Sequence, residues 1–337
     1  MSIAFTHDDR IATVAACSMM GTLEGMRGRS EPLGPAEWSK VAQWLHERGL
    51  RPGDLLDAAN AEIATSEGLE SKLAQRLLDL PERAALVALE LERYQNRGIW
   101  SLVRFDDDYP QRWREKLKGL APPVLFGAGP VNLLSKTPSL AIVGSRDIGE
   151  ELAEVAIAIG GRAADNGYVV VSGGARGSDR WGMFGALQHG KDAIGVLHGD
   201  LAKDANKHDT RQFIEDGHLC LVAHVHPATG FVTGNAMARN RFIHSLADAA
   251  VVISTAKGSG GTWAGSVDNL KKRWSPLLVW DGPHAPGGNA ALIKEGGFTF
   301  DAIPGDAESF AALISAAREH TATRIAQSAQ PAQPQLL

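Results

Sequence analysis

Ser172-Gly173-Gly174-Ala175-Arg176-Gly177-Ser178-Asp179 follows the apolar run Tyr168-Val169-Val170-Val171 and precedes a helix-compatible segment from Trp181 to His189. A strand that ends in glycines and an arginine before a helix aims backbone N–H groups, a helix N-terminus and one guanidinium at the same small volume. That is the chemistry of a phosphate site.

The chain of 337 residues is long enough for roughly two domains. With 44% hydrophobic residues it can bury a full core. The formal net charge of −5 excludes a uniformly basic surface, so any anion site must be local. The only cysteines, Cys17 and Cys220, form no CxxC pair, which argues against a disulfide framework or a structural zinc. Residues 1–10 carry Asp8 and Asp9 and no apolar signal core, and no run of about 18 apolar residues follows. A soluble, cytoplasmic protein with no membrane association is expected.

Working outward, residues from about Ile11 to Asn96 read as several short helices. Glu37 to Arg48 spaces Val41, Trp44 and Leu45 on one face, and Ala74 to Leu91 does the same with Leu77, Leu78, Leu80, Ala84, Leu86 and Leu89. Gly98 to Val103 turns strand-like, Asp106-Asp107-Asp108-Tyr109-Pro110 is a turn rather than a metal loop, and Pro122-Pro123-Val124-Leu125-Phe126-Gly127 is extended. From Ser139 to about Ala316 strands and helices alternate: Leu140–Val143, the helix Glu150–Asn166, then strands at Tyr168–Ser172, Ala193–Leu197, Leu219–Val225, Ala249–Ser254 and Leu277–Trp280. This alternation predicts an α/β fold with a doubly wound, mostly parallel sheet. The expected limits are a helical domain over 1–96, the sheet domain over 97–316 and a mobile tail over 317–337.

In such a sheet the carboxyl ends of neighbouring strands lie about 5 Å apart, so loops distant in sequence converge. Four stretches would meet there: Gly144-Ser145-Arg146, the opening stretch, Arg239-Asn240-Arg241, and Lys257-Gly258-Ser259-Gly260-Gly261-Thr262. The first, second and fourth follow strands directly. The third lies in a long connection. Glycines admit an anion close to the backbone, the hydroxyls of Ser145, Ser178, Ser259 and Thr262 donate, and arginine offers a planar fork. Each piece alone is also what an ordinary βα turn or a solvated helix face shows; their common position is what points to a basic groove. Trp181, Phe184, Phe242 and Trp263 are the aromatics near these loops available for base stacking.

No cofactor is implied. Gly144 to Gly149 lacks the second glycine of a dinucleotide fingerprint, Ser172-Gly173 stands where a nicotinamide site wants an acid, and no G-x-x-x-x-G-K-[ST] occurs. His198, His208, His218, His224 and His226 have no cysteine or carboxylate at metal-ligand spacing.

With these four stretches the chain resembles the DprA/Smf family of DNA-processing proteins. Val143-Gly144-Ser145-Arg146 is similar to the family's VGtR, Ser172 to Asp179 to its SGlArGiD, Ala238 to Asp248 to its RNRiIagLsd segment, and Lys257 to Ala264 to its kSGsl-TA turn. The resemblance covers roughly Gly98 to Gly282, and the N-terminal helices match the family's SAM-like domain in placement. It implies an extended Rossmann-like fold and a homodimer that binds single-stranded DNA in a basic groove and hands it to RecA or another protein partner. The pathway would be recombination, DNA uptake or phage defence. Ser172, Gly173, Gly174, Arg176, Gly177, Ser178, Arg146, Arg239, Asn240, Arg241, Lys257, Ser259, Gly260, Gly261 and Thr262, with Gly144 and Ser145, would form the phosphate site. After Asp179 the family continues toward Ala-His; this chain has Trp181-Gly182-Met183-Phe184.

The same superfamily holds the lonely-guy phosphoribohydrolases, so the competing reading is a sensor or hydrolase for a nucleotide-derived small molecule in the same pocket. Alignment on Gly261-Thr262 puts Gly265 where those enzymes carry a glutamate. An oxocarbenium-like transition state wants a carboxylate there. Asp268 and Asp179 are the acids in reach, and Asp179, at a helix N-terminus, is expected to brace the loop. A binding protein is favoured over an enzyme.

Overall fold

A computed structural model describes residues 5–21, 31–66 and 68–329. In chain order the elements are α1 His7–Cys17, α2 Pro35–Glu47, α3 Ala58–Ser66, α4 Ser71–Gln75, α5 Leu80–Gln95, β1 Ile99–Val103, α6 Gln111–Leu117, β2 Val124–Ala128, β3 Ser139–Gly144, α7 Glu150–Asp165, β4 Val169–Ser172 and α8 Ser178–Gln188. There follow β5 Ala193–Leu197, α9 Leu201–Ala205, α10 His208–Glu215, β6 Leu219–Ala223, α11 Thr233–Leu246, β7 Ala249–Ser254, α12 Gly260–Lys272, β8 Leu277–Trp280, α13 Gly287–Glu295, β9 Phe298–Phe300 and α14 Ala307–Ala329. Contacts divide the chain into two units, one of residues 1–135 with 197–235, the other of 136–196 with 236–337.

The first unit opens with a capping box. The Thr6 hydroxyl accepts from Asp9 N–H while the Asp9 carboxylate accepts from Thr6 N–H, so two orphan donors of α1 are satisfied at once. Asp9 is itself buried and also holds Arg51 and the Gly53 N–H. The predicted face of α2 is buried through Val41, Trp44 and Leu45, joined by Trp38. On α5 the face is shifted: Leu80, Arg83, Val87 and Tyr94 are buried, while Leu89 is 46% exposed. Arg83 takes an inward position because its guanidinium donates to the Ser18 and Met20 carbonyls, a role that apolar periodicity cannot show. β1 and β2 pair antiparallel from Ile99↔Ala128 to Val103↔Val124. β6 pairs antiparallel with β2. Asp106 serves the predicted turn, accepting from Val103 N–H and from Arg10.

The second unit carries six strands in the order β5-β4-β3-β7-β8-β9, every neighbouring pair parallel. β3, β4, β5, β7 and β8 are buried nearly throughout, which is why they read as continuous apolar runs. Right-handed crossovers run in opposite directions from β3 and β7, which places α7 and α8 on one face and α12 and α13 on the other. α7 and α8 touch backbone to backbone: a Cβ at Gly160 would strike the Gly182 carbonyl, and one at Gly185 the Ile157 carbonyl. α14 buries Phe310, Ile314 and Ala317. It continues to Ala329, so the expected mobile tail is helical at least to that residue, and residues 330–337 lie outside the described part.

Candidate functional site

β3 and β7 are neighbours in the sheet, yet the chain leaves them toward opposite edges, from β3 through α7 to β4 and from β7 through α12 to β8. This is a topological switch point, and an open α/β sheet takes its ligand at the carboxyl ends of the strands around it. Three of the four predicted stretches are the loops after β3, β4 and β7, and the fourth lies on α11.

Hydrogen bonds tie these loops together. Ser145 N–H donates to the Ser254 carbonyl at 2.9 Å, and Ser178 N–H donates to the Ser145 carbonyl at 3.2 Å. The Thr262 hydroxyl donates to the Gly144 carbonyl at 2.9 Å, and Asn240 Nδ2 to the Gly261 carbonyl at 2.8 Å. Gly177 has φ +85°, and a Cβ there would collide with the carbonyls of Ser145 and Arg146. Only glycine fits that corner.

Several of the residues expected at the phosphate site hold the loops to one another. Ser172 is fully buried, its hydroxyl donating to the Ile142 carbonyl at 2.5 Å. Ser178 is also fully buried and its hydroxyl turns to the Ser145 carbonyl. Ser145 exchanges hydrogen bonds with Ser254.

Arg239 lies in the inner layer of the site. It is buried and pairs with Asp179 at 3.3 Å, with both side chains under 10% exposed. Asp179 also accepts from the Gly144 N–H at 3.3 Å. Burial pushes the Asp179 carboxyl up and the Arg239 guanidinium down, and each partner opposes the other's shift. A Cβ at Gly173 would strike both groups, so the second glycine-rich corner makes room for the pair. A signal for this was available: Arg239, Phe242, Ile243 and Leu246 recur at helical spacing and all are buried, as are Asp179, Gly182, Met183 and Ala186 on α8. His244, also buried on α11, has its imidazole pushed down to about 4 by burial and then by the Arg239 charge.

The outer layer is cationic. Arg146, Arg176 and Lys257 are exposed, as are Gly174, Ser259 and Gly260, while Gly144, Asn240, Gly261 and Thr262 are half-buried. Arg176 bonds Asp147 at 2.7 Å with both side chains largely in solvent. Arg241 is half-buried and its Nε donates to the Ala238 carbonyl of its own helix. Arg180, exposed immediately after Asp179, was not among the predicted residues. Arg146, Asp147, Ile148, Arg176, Gly177 and Trp181 line an open cleft of about 480 Å³. Of the aromatics, Phe242 is core, and Phe184, Trp181 and Trp263 are half-buried.

A sequence profile described as DNA recombination-mediator protein A matches residues 100–297, more than half of the chain. The chain belongs to that family. Its relatives include DNA processing protein DprA of Bacillus subtilis, 27% identical over 211 residues that cover 61% of this chain and 69% of that one. DprA of Streptococcus pneumoniae is 35% identical over 159 residues, 46% of this chain and 54% of that one. The X-ray structure of the S. pneumoniae protein superposes with a TM-score of 0.66 at 22% identity, covering 92% of this chain and 98% of the other. A structure of DNA processing protein A from Helicobacter pylori, described for its unique single-stranded DNA binding mode, gives a TM-score of 0.52 at 21% identity over 66% and 96%. These superpositions establish the extended Rossmann-like fold.

The span matched by the DNA recombination-mediator protein A family contains all four stretches. Against the phosphoribohydrolase pattern, a Cβ at Gly265 would meet the Asn240 Cβ at 2.8 Å, so Asn240 would have to shift to admit a glutamate. Asp268 is exposed on α12 and Asp179 is held in its ion pair. Among the described residues no helix is long and apolar enough to cross a membrane.

Proposed function

We propose that this chain binds single-stranded DNA by its phosphates along the outer layer of the strand-end loops. The observation that carries the reading is the division of the cations. Arg146, Arg176 and Lys257 project from loops that a buried Asp179–Arg239 pair and a web of internal hydrogen bonds hold in place. Fixed cations of this kind grip a flexible phosphodiester chain without reading its bases. The single-stranded DNA binding described for the H. pylori relative supports the same reading. Gly174, Ser259 and Gly260 add exposed backbone to the contact, whereas Ser172, Ser178 and Arg239 shape it. The family resemblance extends the proposal to a homodimer that passes the strand to a RecA-type partner.

The test is the salt dependence of binding to oligothymidylate. A steep loss of affinity with salt, made shallower by Arg176→Ala or Lys257→Ala, is the expected result. Tight binding of a mononucleotide with a shallow salt dependence, and none of the oligomer, sinks it in favour of a small-molecule pocket.

A further inference from the structure

The cleft beside Arg176 has two chemically different walls. Arg146 and Arg176 supply positive charge, offset in part by the Asp147 carboxylate that pairs with Arg176, while Ile148 and the indole of Trp181 are apolar. Its volume of about 480 Å³ lies within the range of about 300–1,000 Å³ usual for small-molecule sites. Trp181 sits in the first turn of α8, two residues beyond the buried Asp179 and one before Gly182, which is pressed against α7. Phe184 packs edge-on against it, with ring centroids 5.8 Å apart. The indole is thus held on a rigid element, and among the described residues its N–H has no hydrogen-bond partner. A large aromatic held half-exposed next to two guanidinium groups presents a face to a base whose phosphate sits on the arginines.

We propose that Trp181 is the base-stacking residue of this site, so that the cleft takes one complete nucleotide of the strand, base as well as phosphate. The inference rests on the proposed single-stranded DNA binding and assigns its non-electrostatic component to one side chain. Phe242 is buried in the core, and Trp263 does not line this cleft. Stacking is sequence-tolerant, because every base has a π face, so the contact adds affinity without a base preference.

The experiment compares wild type, Trp181→Phe, Trp181→Leu and Arg176→Ala in binding to oligothymidylate and to an abasic deoxyribose-phosphate oligomer of the same length. Circular dichroism monitors the fold. Trp181→Leu is expected to lose on the order of tenfold in affinity for oligothymidylate and nothing for the abasic oligomer. Trp181→Phe keeps most of the affinity, and Arg176→Ala weakens both ligands. Equal affinities of the Leu and wild-type proteins for oligothymidylate overturn the stacking role, as does an equal loss on both oligomers. If wild type binds neither oligomer, the DNA-binding reading itself has failed. Should Trp181→Leu not fold, tryptophan fluorescence decides: oligothymidylate quenches wild type, and a quench undiminished in Trp181→Phe overturns the assignment.

Discussion

Two arginine–aspartate pairs lie at the same end of the same sheet and do opposite things. Asp179–Arg239 is enclosed, its carboxylate also accepting a loop N–H, and Gly173 leaves it just enough room. Asp147–Arg176 stands in water at 2.7 Å, with side chains 85% and 74% exposed. The first pair cannot meet a phosphate without dismantling the loops; the second can exchange its carboxylate for a phosphate at little cost. An arginine in a motif is therefore either part of the wall or part of the grip, and burial decides which.

The sharpest way to break this contrast is Arg239→Ala. Removing one partner leaves an uncompensated buried charge, so the expected loss is about 3–5 kcal/mol in chemical denaturation. Asp179→Leu combined with Arg239→Met should recover part of it, because well-packed apolar groups can replace a buried pair. A stable Arg239→Ala protein that had lost only DNA affinity would return this arginine to the phosphate contacts.

His244 probes the same buried layer through pH. Its folded-state value, about 4, lies below the usual 6.5. The unfolded chain therefore binds more protons between those values, and the stabilisation present above pH 6.5 is lost as pH falls toward 4. The loss is roughly 3 kcal/mol for a shift of this size. Denaturation midpoints of wild type and His244→Phe across that window check it; the variant should lose this part of the slope.

Arg176→Ala should behave in the reverse manner to Arg239→Ala. Stability changes by less than about 1 kcal/mol, as for other exposed pairs. Oligonucleotide affinity falls, and the log–log salt slope becomes shallower by about 0.7, the loss of one single-strand phosphate contact. An unaltered slope with lower affinity would mean that Arg176 acts without touching phosphate. The smallest effect is expected from Asp147→Asn, which removes the carboxylate that competes with phosphate for Arg176. Affinity should rise a few-fold at low salt and the gain should fade as salt screens it. A drop in affinity would show that Asp147 positions the arginine.

Much of this was legible in the residue order. β5, β7 and β8 have the predicted limits because strands buried on both faces leave unbroken apolar runs. The meeting of the loops after β3, β4 and β7 followed from alternation alone. Very short or exposed elements leave no period in the sequence: β9 has three residues, and α10 buries none of its own. α14 was cut short because nothing beyond Ala317 is buried among its described side chains, so no period remained to be counted. The division between Arg239 and Arg176 was missed for a different reason. Motif matching treats every arginine as a hand held out to the ligand, whereas the helical phase of Phe242, Ile243 and Leu246 already turned Arg239 inward.

The glycine seam between α7 and α8 has a consequence for how this rim can change. Because Gly160 and Gly185 each face a carbonyl of the opposite helix, neither position has room for a side chain. The start of α8, with Ser178, Asp179 and Trp181, inherits its position from that contact. Substitutions on the outer corners can accumulate and retune what is gripped, while a single methyl group in the seam would displace the whole platform at once.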